Sequence, residues 1–244
     1  MNQINALAQS VYPKMVEVRR ALHQNPEPSM QEFETTRRLA AEMDRLGIPY
    51  RLTQPTGLIA QIEGAAPGPR VALRADIDAL SIGERTGLPF ASQVPGMMHA
   101  CGHDAHAAML VGAAEILMAC REAFAGSVRL IFQPAEETGE GAAICAKLLA
   151  EKNVKEIYGL HNIPGFPEKS VLARRGTFAC ASTGLAITMT GTPSHAGYPE
   201  AGKNPGYALA RLLLAVQELT AKIKKEKGFV LMTLIGMDVG SANY

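Results

Sequence analysis

Short apolar runs alternate with helical segments along the chain, and this alternation restricts the fold more than any other feature. The order is strand 71–75, helix 106–121, strand 127–132, helix 141–150 and strand 156–160. Such alternation predicts an α/β domain whose central sheet is mainly parallel. Ligands of parallel sheets bind at the carboxyl ends of the strands.

Polar side chains follow each of these three strands. Asp76 and Asp78 come after the first strand, Glu136 and Glu137 after the second, and His161 after the third. Because parallel strands end at the same edge of a sheet, we expect these side chains to lie close together. This edge is the predicted functional site.

Segment 97–114 is the densest group of metal-ligand side chains, and it contains His99, Cys101, His103, Asp104 and His106. Cys101 and His103 are two residues apart, which in an extended loop before a helix places both side chains on one side. Thiolate and imidazole bind transition metals. We therefore predict both as metal ligands, although a single cysteine is more often a small core residue.

The acidic pairs allow two interpretations each. Glu136 and Glu137 are either a ligand and a free general base beside a metal, or solvated residues of a loop or helix start. Asp76 and Asp78 either orient a ligand histidine or form salt bridges with Arg74.

Two further histidines stand apart from the cluster. His161 is either a ligand or an ordinary buried histidine after its strand. His195 lies in the turn-rich loop 191–205, before a helix predicted from about 205 to 225. Further strands are indicated at 170–174, 185–190 and 229–239.

Composition excludes some classes of partner. The net charge of the 244 residues is +1, so no nucleic acid or anionic membrane partner is expected. No apolar run approaches the roughly 20 residues of a membrane span, and residues 1–10 lack the pattern of a secretory leader. Four dispersed cysteines fit a reducing cytoplasm.

Five motifs in one order resemble the M20 metallopeptidases, and within them the amidohydrolase branch of N-acyl-amino-acid, hippurate and auxin-conjugate hydrolases. These motifs are 74–80 (RADIDAL), 98–106 (MHACGHDAH), 133–137 (QPAEE), 159–161 (GLH) and 194–196 (SHA). The opening segment 22–27 (LHQNPE) also fits.

The resemblance implies a zinc-peptidase-like α/β catalytic domain over 1–183 and the first half of an inserted α+β lid or dimerisation domain over 184–244. Relatives continue beyond this point, return to the catalytic domain and supply a last metal-ligand histidine. The sequence is therefore expected to be truncated. An impaired fragment that folds and binds metal or dimerises is one alternative function.

The resemblance also implies a chemistry, namely hydrolysis of the amide bond of N-acyl amino acids by metal-activated water. Two divalent ions (Zn, Mn, Co or Ni) would be held by Cys101, His103, Glu137 and His161. Glu136 would be the general base and His195 would hold substrate or the oxyanion. The outer carboxylates would be Asp76, Asp78 and Asp104. No organic cofactor is implied, a homodimer through the lid is, and a peptidase or deacetylase is the second alternative.

Overall fold

The computed structural model describes residues 2–149, 154–177, 179, 181–227 and 230–240. Its helices and strands are α1 (Asn2–Gln24), α2 (Phe33–Leu46), β1 (Tyr50–Leu52), β2 (Leu58–Glu63), β3 (Ala66–Asp76), α3 (His103–Ala119), β4 (Ala125–Gln133), α4 (Glu140–Leu149), β5 (Val154–Gly159) and α5 (Gly206–Lys227). The chain forms two compact units, one ending at Ser170 and the other beginning at Val171. The first contains every one of these elements except α5.

The first unit is built on a five-stranded sheet in the order β1-β2-β4-β3-β5. Strands β4, β3 and β5 run parallel, while β1 and β2 add antiparallel pairs at one side. The predicted α/β class with a mainly parallel central sheet is confirmed. Strand β1, with only three residues, was missed by the sequence pattern.

Helices cover both faces of this sheet because side chains alternate along each strand. On one face, a fully buried cluster joins the first three helices to β2 and β4, and it includes Leu22, Leu39, Met43, Val111, Leu58 and Phe132. On the other face, Ile59, Ala72 and Ile131 pack with Cys145 of α4. Burying each large apolar side chain contributes about 1.5–3 kcal/mol to folding.

The strand register fixes which chain segments meet at the carboxyl edge. Asp76 of β3 pairs with Gln133 of β4, and Arg74 pairs with Gly159 of β5. The residues that follow these strands therefore leave the sheet at the same edge.

Helix α3 begins at His103, so the predicted start at His106 and the extended loop through His103 are wrong. Gly102 precedes the helix with a φ of 109°, a left-handed conformation that favours glycine. Its carbonyl oxygen accepts the backbone amides of Ala105 and His106. His103 is consequently held on the first turn of a helix.

The strand 71–75 is also longer than predicted, because β3 begins at Ala66 with an irregularity before Arg70. In the second unit, the predicted helix is confirmed as α5, whereas 170–174 and 185–190 do not form strands. Within the described ranges of that unit, the only β-type pairing is an isolated antiparallel bridge between Thr192 and Lys203. Apolar alternation without a partner strand gives no sheet.

The predicted strand 229–239 begins outside the described residues, and its described part, 230–239, is not a strand. The division into catalytic and lid domains at 183/184 stays a prediction. None of the helices in the described part of the chain has the length and apolar character that a bilayer span requires.

Candidate metal centre

His103 lies at the centre of the polar groups at the carboxyl edge. Its Nδ1 donates to the backbone oxygen of Asp78 at 2.9 Å. Its Nε2 is buried and has no hydrogen-bond partner among the described residues. That nitrogen lies 3.6 Å from Oδ2 of Asp76 and 3.8 Å from carboxylate oxygens of Glu136 and Glu137. His103 therefore offers a free lone pair to the space between three carboxylates.

Cys101 and His161 also lie close to His103. The Cys101 Sγ lies 3.3 Å from Nε2 of His161, whose Nδ1 donates to the backbone oxygen of Asn162 at 2.8 Å. Ligand atoms of Cys101, His103 and His161 all lie within 4.8 Å of one another. His161 is exposed, so it is not the buried structural histidine of the alternative interpretation.

Glu136 and Glu137 lie in the loop between β4 and α4, and their side chains are 36% and 23% exposed. Each offers an oxygen within 4.8 Å of a ligand atom of His103. Helix α4 begins only at Glu140, so the two acids are not its first turn. Both carboxylates face the free nitrogen of His103 and remain open to water.

Asp76 holds His106 in a fixed orientation. The Nδ1 of His106 donates to Oδ1 of Asp76 at 2.6 Å, and its Nε2 accepts the backbone amide of Asn162 at 2.8 Å. Arg74 also donates to Asp76 at 2.6 Å, which is the predicted salt bridge, while the orientation of a ligand histidine by Asp76 stays a prediction. Since both ring nitrogens of His106 are occupied, it positions the segment that contains His161.

Asp78 contacts three chain segments, those of Ser29, His103 and Glu137. Its Oδ2 accepts the Ser29 hydroxyl at 2.7 Å and the Glu137 backbone amide at 3.0 Å, and its Oδ1 lies 3.2 Å from Nδ1 of His103. Burial alone would raise the pKa of Asp78, but the hydrogen bonds from His103, Glu137 and Ser29 lower it to about 2. Asp78 thus stays charged beside the histidine.

The electrostatics of the edge favour a bound cation. Burial, reinforced by the charges of Glu137, Asp76 and Glu136, raises the pKa of the Cys101 thiol to about 11. Burial alone would lower the pKa of His103, yet the hydrogen bond to Asp78 and the nearby carboxylates raise it. A metal ion would replace the proton on both groups, because thiolate and neutral imidazole are the ligand forms.

The donor set fits a transition metal on these observations. Among the described residues, the fully buried Nε2 of His103 has no hydrogen-bond partner, and carboxylate oxygens of Asp76, Glu136 and Glu137 lie within 3.8 Å of it. An unpaired buried polar atom is costly, and metal coordination removes that cost. Sulfur, imidazole and carboxylate together suit Zn²⁺ and its neighbours better than Mg²⁺ or Ca²⁺.

Asp104 contacts helix α1. Its Oδ2 accepts Nε of Arg19 at 3.0 Å and lies 2.8 Å from Nδ1 of His23. His99 lies beside this group with a buried ring, and burial lowers its pKa to about 4. The contacts of Asp104 fix α1 against the start of α3, and its role as an outer carboxylate of the metal site stays a prediction.

His195 belongs to the second compact unit. Its Nδ1 accepts the Gly197 amide at 3.1 Å, and its ring lies 5.9 Å from that of Tyr198. Its predicted contact with substrate stays a prediction.

Three residues that support the site were missed by sequence reasoning, and they are Ser29, Glu32 and Asn162. Ser29 and Glu32 follow the turn at 25–28, and the concentration of polar residues around two prolines could have suggested a folded loop.

We expect the metal-free protein to lose stability in acid because of Asp78. Since its pKa is lowered from 3.8 to about 2, its contribution is complete above pH 4 and disappears as the pH falls through 2. The shift corresponds to about 2 kcal/mol. The free energy of unfolding, measured by urea titration between pH 5 and pH 2 with chelator present, should fall less with acid in Asp78→Asn than in the parent. The same loss of unfolding free energy in both proteins would contradict this expectation.

Comparison with known proteins places the chain in a family. The sequence profile described as Peptidase family M20/M25/M40 matches residues 72–236. An N-acetyl-L-cysteine deacetylase of Bacillus subtilis is 40% identical over 210 residues, which cover 86% of this chain and 50% of that protein. The IAA-amino acid hydrolase ILR1-like 5 of Arabidopsis thaliana is 40% identical over 85% of this chain and 48% of its own length.

A solved structure agrees with the fold. The YxeP protein of Bacillus subtilis, a dinuclear metal-binding peptidase from the M20 family, superposes with a TM-score of 0.63 at 44% identity. The match covers 65% of this chain and 45% of that one. The chain spans about half the length of the curated relatives it matches. On this evidence, the chain belongs to peptidase family M20/M25/M40.

Proposed function

We propose that this chain provides the metal-binding part of an amidohydrolase that cleaves the amide bond of N-acyl amino acids. The main support is the convergence of metal-ligand side chains on His103 at one edge of the sheet. The ligand atoms of Cys101, His103 and His161 lie within 4.8 Å of one another, and so do those of His103, Glu136 and Glu137. Membership of a hydrolase family adds to it.

In this proposal, two divalent ions are held by Cys101, His103, Glu137 and His161. The donor set is compatible with Zn, Mn, Co or Ni. A divalent ion at such a site lowers the pKa of water and polarises the carbonyl oxygen of an amide. Asp78 orients the imidazole of His103. Asp76 orients His106, which in turn holds the segment that contains His161.

Glu136 is proposed as the general base. Its Oε2 lies 3.8 Å from Nε2 of His103, and its side chain is exposed enough for water to reach it. The carboxylate would take a proton from the attacking water while the water oxygen bonds to the acyl carbon. The same proton would then pass to the amine nitrogen as the C–N bond breaks. The products are a carboxylic acid and a free amino acid.

The substrate class follows from chemistry that the relatives share. N-acetylcysteine and an indole-3-acetyl amino acid both contain an amide between an acyl group and an amino acid nitrogen. We propose that this bond is the one cleaved. His195 would contact the substrate or the oxyanion, residues 184–244 would pair in a homodimer, and the cytoplasm would be the compartment.

A peptidase is the second candidate, because the similar YxeP structure is described as a peptidase. A dipeptide and an N-acyl amino acid present the same amide to the metal site, so the site's ligands do not distinguish them. The third candidate is a fragment that binds metal without turning substrate over, since the chain spans half the length of its relatives.

Metal content and a substrate panel test the proposal together. Purified chain should contain divalent metal by elemental analysis and should hydrolyse N-acetyl-L-cysteine, N-benzoyl or indole-3-acetyl amino acids faster than dipeptides. Chelator should abolish turnover, and added metal should restore it. Faster cleavage of dipeptides would favour the peptidase, and bound metal without any turnover would favour the fragment.

A further inference from the structure

The backbone immediately before Glu136 has an uncommon conformation. Ala135 has a φ of 47°, a left-handed value that residues with a side chain rarely adopt. Such a conformation persists only where the surrounding structure holds it. Because Glu136 follows directly, the direction of its side chain depends on what holds Ala135.

Both backbone groups of Ala135 have specific partners. Its carbonyl oxygen accepts the amide of Gly141 at 3.0 Å, and its amide donates to Oε1 of Glu32 at 2.8 Å. A side chain at Gly141 would place its Cβ 1.6 Å from the backbone oxygen of Pro134, so the turn also requires glycine there. The Glu32 contact is the only one of these made by a side chain.

Glu32 is unusually placed for a carboxyl group before a helix. It is 0% exposed, and its Oε2 accepts the Thr56 hydroxyl at 2.5 Å. Its side chain accepts no amide at the start of its own helix, α2. There the backbone amides of Glu34 and Thr35 donate to the carboxylate of Glu27 instead. A fully buried carboxyl is costly unless its bonds are specific, and here both oxygens are used to reach distant segments.

We propose that Glu32 is a positioning residue that aims Glu136 by holding the amide of Ala135. The inference rests on the proposed role of Glu136 as general base. The contact joins residues 103 positions apart in the chain, from the start of α2 to the loop after β4. Misplacing a reacting group by about 1 Å costs on the order of 100-fold in rate.

The test compares Glu32→Ala with Glu32→Gln. Alanine removes the acceptor, so we expect kcat for N-acetyl-L-cysteine to fall by about 100-fold, with KM and metal content within about twofold. Glutamine keeps an oxygen for Ala135, and its amide can donate to Thr56, so most of kcat should return. Amide hydrogen exchange at Ala135 should accelerate in the alanine variant alone.

Glu27→Ala is the matched control, because it also removes a carboxyl that accepts backbone amides near the start of α2. It should lower Tm but leave kcat and Ala135 exchange within about twofold of the parent. If Glu27→Ala alters Ala135 as strongly as Glu32→Ala, the effect is a general loosening of α2 and the proposal fails. Unchanged kcat and exchange in Glu32→Ala would also overturn it.

Two provisions keep the outcome decisive. Should Glu32→Ala not fold, Glu32→Asp keeps the carboxylate but shortens the side chain by one methylene, so it withdraws the acceptor from Ala135 and should still accelerate Ala135 exchange, whereas unchanged exchange would overturn the proposal. Should the parent chain lack turnover, the proposed function fails, but the exchange measurement alone still decides whether Glu32 holds the turn.

Discussion

Replacing Glu136 with glutamine is expected to lower kcat for N-acyl amino acid hydrolysis by about 10²–10⁴-fold, the usual contribution of a general base. Glutamine has nearly the same size, but its amide cannot take up a proton at neutral pH. The proposed ligands keep their side chains in this variant. Its metal content should therefore stay within about twofold of the parent, in contrast to variants of the ligands.

Steady-state kinetics and elemental analysis on the same samples check this expectation. Glu140→Gln is the matched control, because Glu140 is an exposed acid four residues after Glu136. Its carboxylate accepts the Thr138 hydroxyl at 2.9 Å. That variant should keep full activity. Retained turnover in Glu136→Gln would remove the proposed general base, and loss of metal would reassign Glu136 as a ligand.

The edge of the sheet could be predicted from sequence because it follows from local patterns and one topological rule. Short apolar runs predict β4 and β5 to within a few residues, and the parallel register brings the ends of β4, β3 and β5 together. This reasoning predicts that Asp76, Glu137 and His161 lie near one edge, where the structure has them. The roles of Glu137 and His161 as metal ligands and of Asp76 as an outer carboxylate stay predictions.

The supporting contacts could not be predicted because they depend on tertiary structure. Glu32 reaches Ala135 across 103 residues, and nothing in the pattern of α2 marks that side chain as buried. The start of α3 was misplaced for a local reason, since the positive φ of Gly102 was not recognised as a helix start. Strands 170–174 and 185–190 failed because alternation describes a half-buried strand only where a partner exists.

Replacing His103 with alanine should cause the largest loss of metal affinity, more than about 100-fold. Losing an outer partner of a ligand typically costs 10–100-fold, and removal of the ligand itself exceeds that. His103 lies within 4.8 Å both of the ligand atoms of Cys101 and His161 and of those of Glu136 and Glu137, and its buried Nε2 has no hydrogen-bond partner within the described residues. Among the described residues, no other imidazole is grouped both with Cys101 and with the two glutamates.

His106→Ala provides the comparison, because His106 is a buried histidine of the same helix with its ring 5.5 Å from that of His103. Both of its nitrogens are already bonded, so its removal should lower Tm and reduce metal affinity less than His103→Ala does. Competition titration of Zn²⁺ or Co²⁺ against a chelator measures both affinities, with circular dichroism as the check on folding. Equal losses in the two variants would mean that His106 is itself a ligand, and parent-like affinity in His103→Ala would place the metal elsewhere.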